Sequence, residues 1–75
     1  MYLTVSEQLR LIFFRTGIKV GDTAKAIGMS PQSFSAKLRR NSFSYDELEK
    51  IAEFTGCRFV QYFEMPNGEK IGSSV

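Results

Sequence analysis

The sequence predicts an α+β domain that is mainly α, a bundle of four short helices followed by a C-terminal β-hairpin. Three observations carry this expectation. Thr4 to Glu7 and Ser44 to Glu47 both have Ser/Thr-x-x-Glu spacing, and each opens a run of apolar residues at helical spacing. Between them, Val20 to Arg40 reads as two further helices joined by a tight turn at Gly28-Met29-Ser30. Beyond Gly56 the apolar period falls from about 3.6 to about 2 residues, and Asn67-Gly68 supplies a strong turn signal.

Helix 1 is expected from the Thr4 cap to about Thr16. Val5, Leu9, Ile12, Phe13 and Thr16 form its stripe, and Gly17 ends it. Leu11 and Phe14 lie off that stripe, which predicts a helix widely buried by the rest of the domain. Helix 2 spans about Val20 to Ile27, with the small Ala24 where two helices cross closely. Gly28 then accepts positive φ, Ser30 caps helix 3, and Pro31 takes its first position. Helix 3 runs to about Arg39. Ile27, Phe34 and Leu38 lock the pair, Phe34 and Leu38 sharing a face at i and i+4.

Asn41-Ser42-Phe43 is a loop, with Phe43 read as a hydrophobic staple before the Ser44 cap in preference to a single-strand stacking platform with Tyr45. Helix 4 then places Leu48, Ile51 and Ala52 inward, with Thr55 next. Glu49, Lys50 and Glu53 face outward, Asp46 and Glu47 complement the helix N-terminus, and Gly56 closes it. In the strand that follows, Phe59, Gln61 and Phe63 share one face and Val60, Tyr62 and Glu64 the other. Met65-Pro66-Asn67-Gly68-Glu69 makes the turn, and Glu69-Lys70-Ile71 returns. One hairpin face is expected on helices 1 and 4, the other in water or against a second copy, with Gly72 to Val75 frayed.

A chain of 75 residues fits one small domain near the lower limit for independent folding: helical core about 4–56, hairpin about 57–71, tail 72–75. Its single cysteine, Cys57, has no internal disulfide partner and suggests a reducing compartment. No apolar segment has membrane length, in keeping with a cytoplasmic protein that has no membrane partner. Without His or a second Cys there is no metal-ligand spacing, and neither metal nor cofactor is expected. No enzyme is expected either. An ordinary nucleophile-activating pair is missing, no Gly-rich phosphate loop follows a strand, and Cys57 reads as a small core residue.

The net charge of +2 is unevenly divided. Residues 1–45 hold seven basic and two acidic side chains, residues 46–75 three basic and six acidic, so a positive portion of +5 precedes a negative one of −3. Such polarity orients a molecule toward phosphates, although mixed charge also simply solubilises a small domain. Double-stranded DNA requires donors for phosphates and side chains projecting from a helix toward base edges. The candidate readers are Gln32, Ser33, Ala36 and Lys37. Gln32 suits adenine, Lys37 guanine or phosphate, and Ala36 or the Ser33 methylene a thymine methyl. The candidate phosphate contacts are Lys19, Lys25, Ser30, Ser35, Arg39, Arg40 and Asn41. Ordinary N-terminal polarity for Gln32 and Ser33, and helix C-terminal charge for Arg39 and Arg40, are the plainer alternatives.

Ala24, Ile27, Gly28-Met29-Ser30, Phe34 and Leu38, followed by Leu48, Ile51-Ala52 and Gly56, resemble the helix-turn-helix family of phage repressors and Cro or Xre-type regulators over roughly residues 4–57. The resemblance implies a lambda-repressor-like bundle and a small transcriptional regulator acting by operator occupancy. It also implies a phosphate or edge contact from the start of helix 2, Lys19 to Gly21, where Gly21 has no side chain to offer. The chain departs from the family at Thr23, where Leu is usual, at Pro31 in the reading helix, and in a tail unlike a fifth helix.

A chain this short has no room for a sensor domain, so regulation would come from concentration, a partner or turnover. A homodimer through the hairpin is expected, with Arg58, Val60, Tyr62 and Glu64 at its interface. The alternative in another class is a protein-interaction module, an antitoxin-like or adaptor subunit whose hairpin binds a partner protein.

Overall fold

The computed structural model describes residues 3–73. Four helices, α1 (Val5–Thr16), α2 (Val20–Ala26), α3 (Pro31–Arg40) and α4 (Tyr45–Thr55), precede the antiparallel strands β1 (Gln61–Glu64) and β2 (Lys70–Ser73). The protein is thus mainly helical with a two-stranded C-terminal hairpin.

Local side-chain chemistry sets the ends of α1 and α4. The Glu7 backbone N–H donates to Thr4 Oγ1 at 3.1 Å while Thr4 N–H donates to the Glu7 carboxylate at 2.8 Å. Ser44 and Glu47 repeat the exchange at 3.2 and 2.7 Å, so two otherwise orphaned donors are satisfied at each helix start. Both helices end on a glycine in the left-handed region, Gly17 at φ 73° and Gly56 at φ 77°.

The core is one cluster: Leu9 and Phe13 from α1, Ala24 from α2, Phe34 and Leu38 from α3, and Ile51 from α4. Phe34 is completely buried, its ring centroid 6.1 Å from that of Phe13 and 5.0 Å from that of Phe43. Burying a ring of this size contributes roughly 1.5–3 kcal/mol, which makes Phe34 the pin that fixes α3 on the bundle. Phe43 does turn inward just before the Ser44 cap. Thr23, equally buried, donates its hydroxyl to the Lys19 carbonyl at 3.0 Å, so a polar side chain occupies an apolar site without an unmet hydrogen bond.

Several boundaries and burial patterns differ from the sequence expectation. α2 stops at Ala26, one residue early, because the chain tightens through Ile27 into the Gly28 turn. α3 reaches Arg40, one residue further, and Asn41 closes it at φ 54°. α1 is not widely buried. Its inward seam is Ser6, Leu9 and Phe13, whereas Phe14 is 86% exposed and Leu11 stands at the surface, because so small a bundle covers only one side of this helix. Cys57 is exposed as well, correcting its reading as a core residue.

The hairpin register pairs Gln61 with Ser73, Tyr62 with Gly72, Phe63 with Ile71 and Glu64 with Lys70. Gly72 and Ser73 therefore belong to β2 and are not frayed. Ser74 and Val75 lie outside the described residues. In the turn, Gly68 N–H donates to the Met65 carbonyl at 2.8 Å and Met65 N–H to the Glu69 carbonyl at 2.7 Å, with Gly68 at φ 91°. Pro66 supplies the fixed φ of the second turn position and Gly68 the left-handed residue, giving a three-residue loop. Neither hairpin face lies flat on helices 1 and 4, contrary to expectation. β1 and β2 contact chiefly each other, and the molecule is drawn out to 42 × 23 × 22 Å. Only the approach to the hairpin is held, where Phe59 is half-buried with its ring edge-on to Tyr45 at 5.2 Å.

Candidate nucleic-acid interface

The α2–α3 unit is built from the turn outward. Gly28 at φ 77° donates to the Lys25 carbonyl at 3.1 Å, and Met29 N–H donates to the Ala24 carbonyl at 2.8 Å, closing α2 and redirecting the chain. Ser30 then accepts from Ser33 N–H at 3.1 Å, and Pro31, which has no N–H to satisfy, starts α3. Ala24, fully buried, lets α3 pass close to α2.

With Phe34 and Leu38 pinned inward, a rotation of about 100° per residue sends Gln32, Ala36, Arg39 and Arg40 to the far side of α3. Gln32, Arg39 and Arg40 are exposed, and Ala36 is half-buried. Pro31, Gln32, Ser35 and Arg39 line one shallow surface depression, so Arg39 shares its surface with Gln32 rather than standing at the helix edge. Neither arginine pairs with a carboxylate among the described residues. Lys19 at the α2 N-cap and Lys25 in its last turn are exposed too, as is Ser33.

Four site residues have other engagements. The Lys37 ammonium lies 2.9 Å from Glu47 Oε1 and 2.8 Å from Oε2, half-buried against α4, so in this structure Lys37 is engaged across to α4. The same contact, followed by the Ser44 N–H, holds the Glu47 carboxyl below its ordinary range. The Ser30 hydroxyl caps α3 and donates to Ser33 Oγ at 3.0 Å, so both hydroxyls serve the helix start before any phosphate. Asn41 Oδ1 accepts from the Ser6 N–H at 3.0 Å and from the Ser6 hydroxyl at 3.2 Å, tying the end of α3 to the start of α1. That tie is what the sequence reading missed. A polar residue in the left-handed region after a basic helix end was the available signal for a cap, but its partner lies 35 residues away.

On the hairpin, Tyr62, Glu64, Lys70 and Gly72 share one face, and the Lys70 ammonium sits 5.1 Å from the centre of the Tyr62 ring. The face expected at a dimer interface is therefore charged and partly covered by its own lysine. Arg58 and Val60, the other two expected interface residues, are exposed ahead of β1. The bare apolar pair is Phe63 beside Ile71 on the opposite face, 70% and 52% exposed.

Among the described residues no helix is long and apolar enough to cross a membrane, and no three His, Cys, Asp or Glu side chains cluster as metal ligands. No family model, curated protein or solved structure matches the chain.

Proposed function

We propose that the protein binds double-stranded DNA sequence-specifically, as a small transcriptional regulator of the phage-repressor or Cro/Xre type, with α2 and α3 as its helix-turn-helix. One observation carries this reading: α3 is pinned by Phe34 and Leu38 and turns Gln32, Arg39 and Arg40 outward, with neither arginine paired to a carboxylate among the described residues. A helix so presented suits the major groove, where Gln32 pairs bidentately with adenine and the Ala36 methyl meets a thymine methyl. Arg39 and Arg40, with Lys19 and Lys25 from α2, supply phosphate contacts. Four such contacts correspond to a slope of about −3 to −4 in log affinity against log salt, a modest hold for one copy. Occupying an operator is then sufficient for regulation.

The exposed Phe63–Ile71 face favours a second reading, a module whose hairpin binds a partner protein. Affinity capture with and without nuclease separates the two. The DNA reading expects co-purified nucleic acid, with bound proteins lost on digestion; protein partners retained after digestion, with no duplex binding by the purified chain, support the second.

A further inference from the structure

Because the hairpin does not lie flat on the bundle, a cleft of about 230 Å³ remains between α1, α4 and the segment that leads into β1. Val5 and Ile12 of α1, Leu48 and Ala52 of α4, and Phe59 and Val60 ahead of β1 form its walls. Among the described residues that border it, Arg58 is the one charged side chain, and Gln8 and Cys57 are the only others that are not hydrocarbon. Gln8 commits its Nε2 to the Leu3 carbonyl at 3.0 Å. No carboxylate lines the cleft; Glu49 and Glu53 border a separate depression that also reaches Arg58. Water against such walls gives up hydrogen bonds, so an apolar body that displaces it gains free energy.

We infer that this cleft binds a small amphiphilic carboxylate, its hydrocarbon body against the aliphatic walls and its carboxylate at the Arg58 guanidinium. Size and charge select that class. An apolar cavity of roughly 150 Å³ holds benzene, so this larger space takes a body of about seven to nine carbons. A guanidinium offers five N–H donors in a planar fork, so one neighbouring contact does not exhaust it, and a carboxylate meets it with two parallel charge-assisted hydrogen bonds. A neutral head group forgoes that charge assistance, and an ammonium is repelled. Arg58 is exposed, so the charge contact adds selectivity more than strength, and affinity is on the order of millimolar. A ligand seated here touches both the bundle and the approach to β1, adding to the hold that Phe59 makes on Tyr45. The cleft shares no residue with α2 or α3, so the inference stands apart from the DNA reading.

The test is NMR titration of the full chain, without DNA, using octanoate, with octanol and octylammonium as its neutral and cationic counterparts. Octanoate is expected to give saturable shifts at the methyls of Val5, Ile12, Leu48 and Val60, and octanol to bind at least about threefold more weakly. Arg58→Gln should bring octanoate down to the affinity of octanol while leaving octanol unchanged. Cys57, the single thiol of the chain, gives a second readout on wild-type protein: its alkylation by iodoacetamide should slow with the same octanoate midpoint. The comparison of the three probes on wild-type chain needs no variant to fold. No saturable shift at the cleft residues, shifts centred on Phe63 and Ile71 instead, or octanol and octylammonium binding as tightly as octanoate, overturns the inference. None of these results bears on whether α3 binds DNA, which is measured separately on a duplex.

Discussion

The Lys37 ammonium bridges both oxygens of Glu47, at 2.9 and 2.8 Å, and so joins the last turn of α3 to the first turn of α4. Glu47 also accepts from the Ser44 N–H, making one carboxylate both a cap and a cross-helix tie. The two partners should therefore differ on removal. Lys37→Met removes a partly exposed ion pair and costs about 0–1 kcal/mol, whereas Glu47→Ala also loses the cap and costs about 1–2 kcal/mol. Urea denaturation measures both, and Lys37→Met leaves base preference unchanged.

The same contact sets an acid limit. Glu47 titrates below its ordinary value of 4.5 in the folded chain, chiefly because Lys37 donates to it and then because Ser44 N–H does. As pH falls below that ordinary value, the unfolded chain takes up a proton before the folded one does. This contribution to stability is thus complete above about 4.5 and is lost as pH falls through the depressed folded value. Glu47→Gln should flatten the acid limb of stability against pH, measured by urea midpoints at successive pH values.

Asn41 combines a left-handed backbone at φ 54° with two hydrogen bonds to the buried Ser6. Asn41→Ala loses both hydrogen bonds and strains the backbone, for a cost of about 2–4 kcal/mol. Asn41→Gly keeps the backbone relaxed and loses only the bonds. The glycine variant should melt at the higher temperature of the two, and equal melting would deny the backbone a part.

Gly72 has no space for a side chain, since a Cβ there would collide with the Gln61 carbonyl oxygen and the Tyr62 backbone. Gly72→Ala should open the β1–β2 pairing while leaving the helices intact. Amide exchange of Gln61 to Glu64 should speed up with the helical circular dichroism unchanged.

These sites also show how far the sequence could be read. Thr4, Glu7, Ser44, Glu47, Gly17 and Gly56 act on backbone within a few residues, so capping chemistry located α1 and α4 directly. Phe34 and Leu38 were legible from their spacing on one turn-bounded helix. Lys37 looked free because its carboxylate partner sits on the next helix, and Asn41 looked like a loop residue because Ser6 is at the far end of the sequence. Gly72 resembled a frayed tail, its role appearing only once the register sets it against Tyr62. Phe14 and Leu11 invited burial by composition, but a four-helix bundle of this size has no element left to cover them.

Within α3, base reading and phosphate binding should separate by mutation. Gln32→Ala should relax preference at one base position at a cost of about 1–3 kcal/mol there, while Arg40→Ala weakens all duplexes alike and flattens the salt slope by about one unit. Fluorescence anisotropy titrations against single-substituted duplexes at several salt concentrations distinguish the two behaviours. Uniform weakening by both, in folded protein, removes α3 as the reading element.

Selection of bound duplexes from a random pool tests the central claim most directly, because it asks whether the outward face of α3 reads sequence at all. The account predicts a defined enriched motif, with one position lost when the selection is repeated with Gln32→Ala. If two copies bind together, half-sites recur about one helical turn apart. No enrichment over the starting pool, or a motif unchanged when Gln32, Ala36 and Arg39 are all replaced in a folded chain, would contradict it.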